Sequence, residues 1–325
     1  MEILFLNNPN YYWQEKIDLL HREFPEVKLN ICADTDDRVT LLKTADAVIS
    51  WKLTTEDIKH APNLKVAFVP FTGINNFPLD VLKERNIQIT NTHANARIVA
   101  EKAVSLSLAL LGRIVEFHND LTKGNWNLSL DPPNFWTSIQ GRTCGILGLG
   151  SIGRNIAKFL KGYDCKIIGF KKHDVDVLPE NVDEVSTSLE KVIHEAEIIY
   201  LCLPLNKDTQ EIINSNVLQK MKGKYLINVG RGALINEEAL YNALKKKILA
   251  GAGIDVWYNY PGRKPEPVFP SQFPIHELPN VVLSPHKAGY TKESIEGMID
   301  DTVENIRSYI LTGKLRNVVD KDLMY

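Results

Sequence analysis

Four short segments hold side chains whose types and spacing could do chemistry. GILGLGSIG (145–153) puts Gly148, Gly150 and Gly153 in the spacing G-x-G-x-x-G. NVGRGALI (228–235) offers Arg231, whose planar guanidinium fork matches the two oxygens of a carboxylate. Arg231 could also cap the following helix or pair with Glu237 or Glu238. LSPHKAG (283–289) offers His286, the one side-chain type that titrates near neutral pH unperturbed. GIDVWYNYP (253–261) ends an apolar run in Asp255 and then presents Tyr258, Asn259, Tyr260 and Pro261. It reads either as part of a reactive site or as a strand running into a loop.

The glycine spacing is weak evidence alone and gains meaning from its context. RTCGILGLG reads as a strand and turn, SIGRNIAKFLKGY as a helix and CKIIGF as a second strand. In such a unit Gly148 permits a tight turn, Gly150 lets the backbone approach a pyrophosphate, and Gly153 lets helix and strand pack closely. The phosphates would lie on the free N–H groups of the helix N-terminus, beside Ser151 and Ile152. An acid at the end of the second strand ordinarily holds the ribose hydroxyls of NAD. Here the strand ends IIGFKKHD, so Lys171 stands at that place, Lys172 and His173 follow, and Asp174 is the first acid. Two lysines suit a 2′-phosphate, which favours NADP over NAD. In the alternative both lysines point into water and Asp174 reaches back.

The elements that must position these residues form two α/β alternations. In the first hundred residues EILFLN, VKLNIC, DAVISW, VAFVPF and IQITNT read as short buried strands separated by helical or proline-marked pieces, the pattern of a parallel sheet. Residues 97–118 read as one long helix, apolar on much of its circumference. The second alternation begins at Arg142 and ends with the strand NVVLSPH, after a loop with prolines at 261, 265, 267, 270, 274 and 279. The tail KESIEGMIDDTVENIRSYILTG reads as an amphipathic helix. A net charge of −2 gives no electrostatic reason to expect nucleic acid or an anionic membrane. The longest apolar stretch is too short for a span. Four scattered cysteines read as buried reduced thiols, no metal is called for, and a cytoplasmic protein is expected.

In this order and spacing, Val99-Ala100-Glu101 after HANARI, GILGLGSIG, LCLPLNKDT, LINVGRGALINEEAL, GIDVW and NVVLSPHKAGYT resemble the D-isomer-specific 2-hydroxyacid dehydrogenase family over nearly the whole chain. The resemblance implies an α/β protein of two doubly wound parallel-sheet domains. A Rossmann cofactor domain (97–287) would be inserted into a flavodoxin-like substrate domain (1–96 with 288–325), with a cleft between them and usually a homodimer. It implies hydride transfer between a nicotinamide and a small 2-oxo or 2-hydroxy acid, with Arg231 as the substrate arginine and His286 as the general acid/base. It places Leu203, Pro204, Thr209, Val229, Gly230 and Asp255 at the cofactor. Backbone N–H groups of Thr72, Gly73 and Ile74 would hold the substrate carboxylate, and Lys52 lies near where the family selects its substrate.

One feature departs from the family. Where most members carry Glu-Pro, with the glutamate on the catalytic histidine, this chain has Tyr260-Pro261. A tyrosine hydroxyl could accept from the imidazole N–H but is neutral, so His286 has less reason to be protonated at pH 7. Glu266, also before a proline, is the alternative orienting acid. The related formate dehydrogenases carry glutamine here, so a neutral partner is compatible with hydride transfer. The reading is a reductase of glyoxylate or hydroxypyruvate. The missing glutamate leaves a second reading, a nucleotide-sensing binding protein resembling the family's corepressors.

Overall fold

The computed structural model describes residues 1–33, 37–129, 134–262 and 266–322, so Pro265 of the proline-rich loop lies outside the described residues. The chain divides into two compact units, Met1–Asn95 with Tyr290–Tyr325, and Ala96–Gly289.

The first unit runs β1 (Glu2–Phe5), α1 (Tyr11–Glu23), β2 (Lys28–Ile31), α2 (Arg38–Leu42), β3 (Ala47–Ile49), α3 (Thr55–His60), β4 (Val66–Phe68), α4 (Leu79–Glu84) and β5 (Gln88–Thr90). All neighbouring strands are parallel, in the order β2-β1-β3-β4-β5. The central strands AVI and VAF are buried at every position, as strands covered on both faces must be. Helix starts are written locally. Asn10 caps α1 through Trp13 N–H, and Thr54 and Asp57 form a reciprocal capping box on α3.

The second unit runs α5 (Ala96–Leu111), α6 (Ile114–Thr122), β6 (Thr143–Leu147), α7 (Ser151–Lys161), β7 (Lys166–Phe170), β8 (Glu184–Ser186), α8 (Leu189–Glu195), β9 (Ile198–Leu201), α9 (Ser215–Lys220), β10 (Tyr225–Asn228), α10 (Glu237–Lys245), β11 (Gly251–Ile254) and β12 (Val281–Leu283). The last helix, α11 (Lys292–Thr312), belongs to the first unit, where Tyr12 and Lys16 of α1 reach its Asp300. Gly313 stops it in the left-handed conformation. Among the described residues no helix is long and apolar enough to cross a membrane.

The second sheet is also parallel throughout, in the order β12-β11-β10-β9-β6-β7-β8. The order reverses direction at β6, where β9 lies on one side and β7 on the other. That is the switch point at which doubly wound sheets bind ligands. The single helix predicted over 97–118 is two helices. Arg113 takes a left-handed φ of 50°, and Leu111 gives its carbonyl to Thr137 N–H instead of to a next turn. The apolar periodicity continues across the break, so only Gly112 hints at it. Helix α5 is buried against α7 and the sheet, and buried Tyr200 donates to buried Ser107 on it at 2.7 Å.

Candidate active site

A parallel sheet delivers the ends of all its strands to one edge, and the candidate residues of the second unit follow from that. The glycine turn leaves β6, Lys171 leaves β7, Leu203 leaves β9, Arg231 leaves β10, Asp255 leaves β11 and His286 leaves β12. Because β10, β11 and β12 are neighbours, Arg231, Asp255 and His286 come from three adjacent strands.

The glycine turn is tight and open on one side only. Gly148 has φ +103°, which side-chain-bearing residues avoid, and a Cβ there would lie 3.0 Å from the Cys202 carbonyl group. A Cβ on Gly153 would sit 2.0 Å from the Gly148 carbonyl oxygen, so helix α7 could not approach the turn. At Gly150 a Cβ would meet nothing within 4 Å. Gly150 is the N-cap of α7 and no side chain caps that end, unlike α1, α8, α9 and α10. A first turn of α7 with no side-chain cap, preceded by the open position at Gly150, fits the phosphates of a dinucleotide. Val229 and Gly230 are buried, and a Cβ on Gly230 would lie 3.1 Å from Leu203 oxygen.

Arg231 is set by its own turn. The side chain of buried Asn228 accepts from Gly230 N–H and donates to the Arg231 carbonyl, both at 3.0 Å. The guanidinium donates to the Gly230 carbonyl at 2.7 Å. Its surroundings are largely dry, and burial lowers its pKa against a smaller opposing effect of Tyr260. Glu237, one candidate partner for Arg231, instead binds Ser271 Oγ and Gln272 at 2.7–2.9 Å and fastens the far end of the proline-rich loop.

His286 sits at φ 54°, a left-handed backbone that costs a non-glycine residue free energy and must be imposed by its surroundings. Asp255 imposes it. Its carboxylate is 1 % exposed and accepts from Ser284 Oγ at 2.5 Å and from the Lys287 and Ala288 N–H groups at 3.0 Å each. Trp257 adds a hydrogen bond from its indole N–H to the Ser284 carbonyl at 2.8 Å. These partners lie about thirty residues apart in sequence and carry no local signal. Asp255 thus acts within the chain on the His286 loop, a role that the reading of it as a cofactor-side residue does not contain.

Tyr260 lies beside His286, with ring centroids 5.4 Å apart at 57°. Its hydroxyl does not hold the imidazole. It accepts instead from Trp257 N–H at 3.1 Å, because the turn 257–260 folds that donor back onto it. The sequence reading of a tyrosine hydroxyl fixing the tautomer is corrected accordingly, and the contact is ring against ring. Glu266 is exposed and makes no hydrogen bond to His286 among the described residues. Burial, and after it the nearby Arg231 charge, lowers the His286 pKa, while Asp255 opposes both. The site therefore favours the neutral imidazole.

The remaining candidates separate into used and open groups. Thr209 donates its hydroxyl to the Pro204 carbonyl at 2.6 Å and accepts from Asn206 N–H at 2.9 Å, so it ties its own loop together. The loop that carries Thr209 is thereby held in shape beside the end of β9. Lys172 forms an ion pair with Asp208 at 2.7 Å. In the first unit Thr72 donates its hydroxyl to Thr92 oxygen and Asn95 Oδ1 at 2.9 Å, and its carbonyl accepts from Asn91. The N–H groups of Thr72, Gly73 and Ile74 make no hydrogen bond among the described residues. Lys52 is exposed, with its backbone fixed by Ser50 Oγ.

The family model for the NAD-binding domain of D-isomer specific 2-hydroxyacid dehydrogenases matches residues 104–288. The chain is similar to glyoxylate reductase of Thermofilum pendens, 32% identical over 301 residues that cover 90% of this chain and 84% of that one. It is 33% identical over 272 residues to glycerate dehydrogenase of Methylorubrum extorquens, covering 82% of each. Among solved structures it is similar to the NADPH-dependent glyoxylate/hydroxypyruvate reductase of Sinorhizobium meliloti. That match has a TM-score of 0.80 and 25% identity, and covers 99% of this chain and 98% of that one.

Replacing Asp255 by Asn would point an amide N–H₂ at donors that now share two acceptor oxygens. The expected cost is about 1–3 kcal/mol for the unsatisfied buried group, read as a lower melting temperature, with a loss of turnover at least as large as that of the His286 loop's order. Unchanged melting and turnover would show that the three hydrogen bonds do not hold the loop.

Proposed function

The chain belongs to the D-isomer-specific 2-hydroxyacid dehydrogenases, oxidoreductases with a nicotinamide cofactor, and from that premise we propose that it reduces a small 2-oxo acid, glyoxylate or hydroxypyruvate, with NADPH preferred to NADH. The observation that carries the proposal is the pairing of Arg231 and His286 at the ends of β10 and β12, close enough for the guanidinium charge to weigh on the imidazole.

Each residue has a physical task in this reading. Arg231, fixed by Asn228, grips the substrate carboxylate and polarises the carbonyl with a charge that the dry surroundings leave unscreened. The cofactor supplies the hydride. His286 gives the proton that turns the carbonyl oxygen into a hydroxyl, and takes it back in the reverse direction. Tyr260 shapes the imidazole's surroundings by ring contact without adding charge. The open N–H groups of Thr72, Gly73 and Ile74 are the first unit's candidates for holding a carboxylate. The preference for NADPH is supported by Lys171 at the end of β7, where a ribose-binding acid would stand, and by the NADPH dependence of the Sinorhizobium relative.

We also propose a homodimer built through α6 and the segment after it. Helix α6 buries none of its residues. Ile114, Val115 and Leu121 are 46–57% exposed, and Trp126, Leu128 and Trp136 are 60–79% exposed. An apolar surface of this kind calls for a covering partner, and a second copy supplies the same surface in return.

Two experiments test these proposals. The first follows NADPH and, separately, NADH oxidation with glyoxylate and hydroxypyruvate from pH 5 to 9. Reduction consumes imidazolium, so kcat/KM is expected to fall as pH rises through a midpoint below the ordinary histidine value of about 6.5. Tyr260→Glu should move that midpoint up by about one unit or more, and Tyr260→Phe should leave it in place. A shift with Tyr260→Phe would restore the hydroxyl as the orienting group, and NADH preference would remove the argument from Lys171. The second is sedimentation at micromolar concentration. The wild type should sediment as a dimer and the Ile114→Glu/Leu121→Glu variant as a folded monomer, whereas a monomeric wild type would refute the interface.

A further inference from the structure

The proposed preference for NADPH leaves one charge unexplained. Lys172, two residues beyond the end of β7, pairs with Asp208 at 2.7 Å, and Asp208 comes from the loop that follows β9. Strands β7 and β9 flank β6 on opposite sides, so this ion pair joins the two segments that border the glycine turn. The turn touches both borders directly. Gly148 N–H donates to the Phe170 carbonyl at the end of β7, and its α-carbon faces Cys202 and Leu203 at the end of β9.

Asp208 is presented from a stiff support. Asn206 Oδ1 accepts from the Asp208 and Thr209 N–H groups at 3.0 and 3.1 Å, and the Thr209 hydroxyl closes the same loop onto Pro204. The backbone that presents the acid is therefore held, while the two side chains of the pair are 67% and 65% exposed. The end of β7 is where the nucleotide's ribose is read in this fold. A 2′-phosphate bound there would meet Lys172 already engaged and a carboxylate beside it. Both effects oppose the phosphate: a cation shared between two anions gives each of them less, and like charges repel.

Resting on the reading of this unit as a nicotinamide dinucleotide site that takes NADPH, we propose that Asp208 is a specificity-determining residue that weakens binding of the 2′-phosphate by holding Lys172 and by its own charge. It keeps the enzyme open to both nucleotides when Lys171 alone would commit it to one.

The test uses calorimetric titration of the whole protein with 2′,5′-ADP and with 5′-AMP, fragments that differ by the 2′-phosphate. Asp208→Asn is expected to bind 2′,5′-ADP about five- to tenfold more tightly and 5′-AMP within twofold of wild type. In the double variant Asp208→Asn/Lys172→Gln that gain should vanish. Unchanged 2′,5′-ADP affinity in Asp208→Asn would overturn the proposal. So would a loss of 5′-AMP affinity with 2′,5′-ADP unaffected, which would make Asp208 the missing ribose-binding acid. The underlying NADPH reading is judged separately, by the wild type and Lys171→Gln. If the wild type does not distinguish the fragments, or Lys171→Gln leaves the ratio unchanged, that reading fails while the Asp208→Asn result still decides the role of Asp208.

Discussion

The carboxylate of Asp255 is the fixed point on which the reactive edge of the second unit depends. It joins the end of β11 to the loop after β12 through Ser284 Oγ and two backbone N–H groups. Those bonds compel His286 into a backbone conformation that an isolated chain would rarely choose. A histidine placed by a loop alone would wander. Here its ring is set by the backbone, which is set by a buried side chain on the neighbouring strand. Asn228 does the same for Arg231 one strand further along. Arg231 and His286, the two residues proposed to touch substrate, are thus both held by other buried side chains.

Electrostatics follows from this placement. Bringing Arg231 and His286 to one edge of the sheet, at the ends of β10 and β12 on either side of β11, puts a cation near an imidazole in a partly dry site, which disfavours a second positive charge. In most of the family a glutamate would offset that, and here an aromatic ring takes its place. The consequence is an imidazole biased toward its neutral form. Oxidation of a 2-hydroxy acid gains from a base that is free at neutral pH, and reduction gains from acidity. In the proposed reading, a neutral ring where most of the family carries a carboxylate shifts the pH at which each direction runs best.

Much of this is legible in the sequence, for physical reasons that differ from residue to residue. Gly148, Gly150, Arg231 and His286 each follow directly on a strand whose apolar run can be read, and a parallel sheet sends all such positions to one edge. The strand alternation implies two parallel sheets but not their strand orders, since periodicity says nothing of which strand neighbours which. The break between α5 and α6 is hidden because Ile114, Val115 and Phe117 continue the apolar pattern past Gly112. What is illegible is chiefly the partner of each polar group. Asp255 finds N–H groups over thirty residues away, Tyr260 turns its hydroxyl back to Trp257, Thr209 spends its own on Pro204, and Asp208 meets Lys172 across β6. Such pairings arise only once the chain has folded, and no spacing rule encodes them.

The most direct test of the account is the titration of His286 itself by NMR of the labelled imidazole, assigned by comparison with His286→Asn. The expected midpoint lies below the ordinary value of about 6.5, with the ring neutral at pH 7, because burial and Arg231 outweigh Asp255. A midpoint at or above the ordinary value would contradict it, and would mean that some group other than Tyr260 supplies the negative charge that the family's glutamate provides.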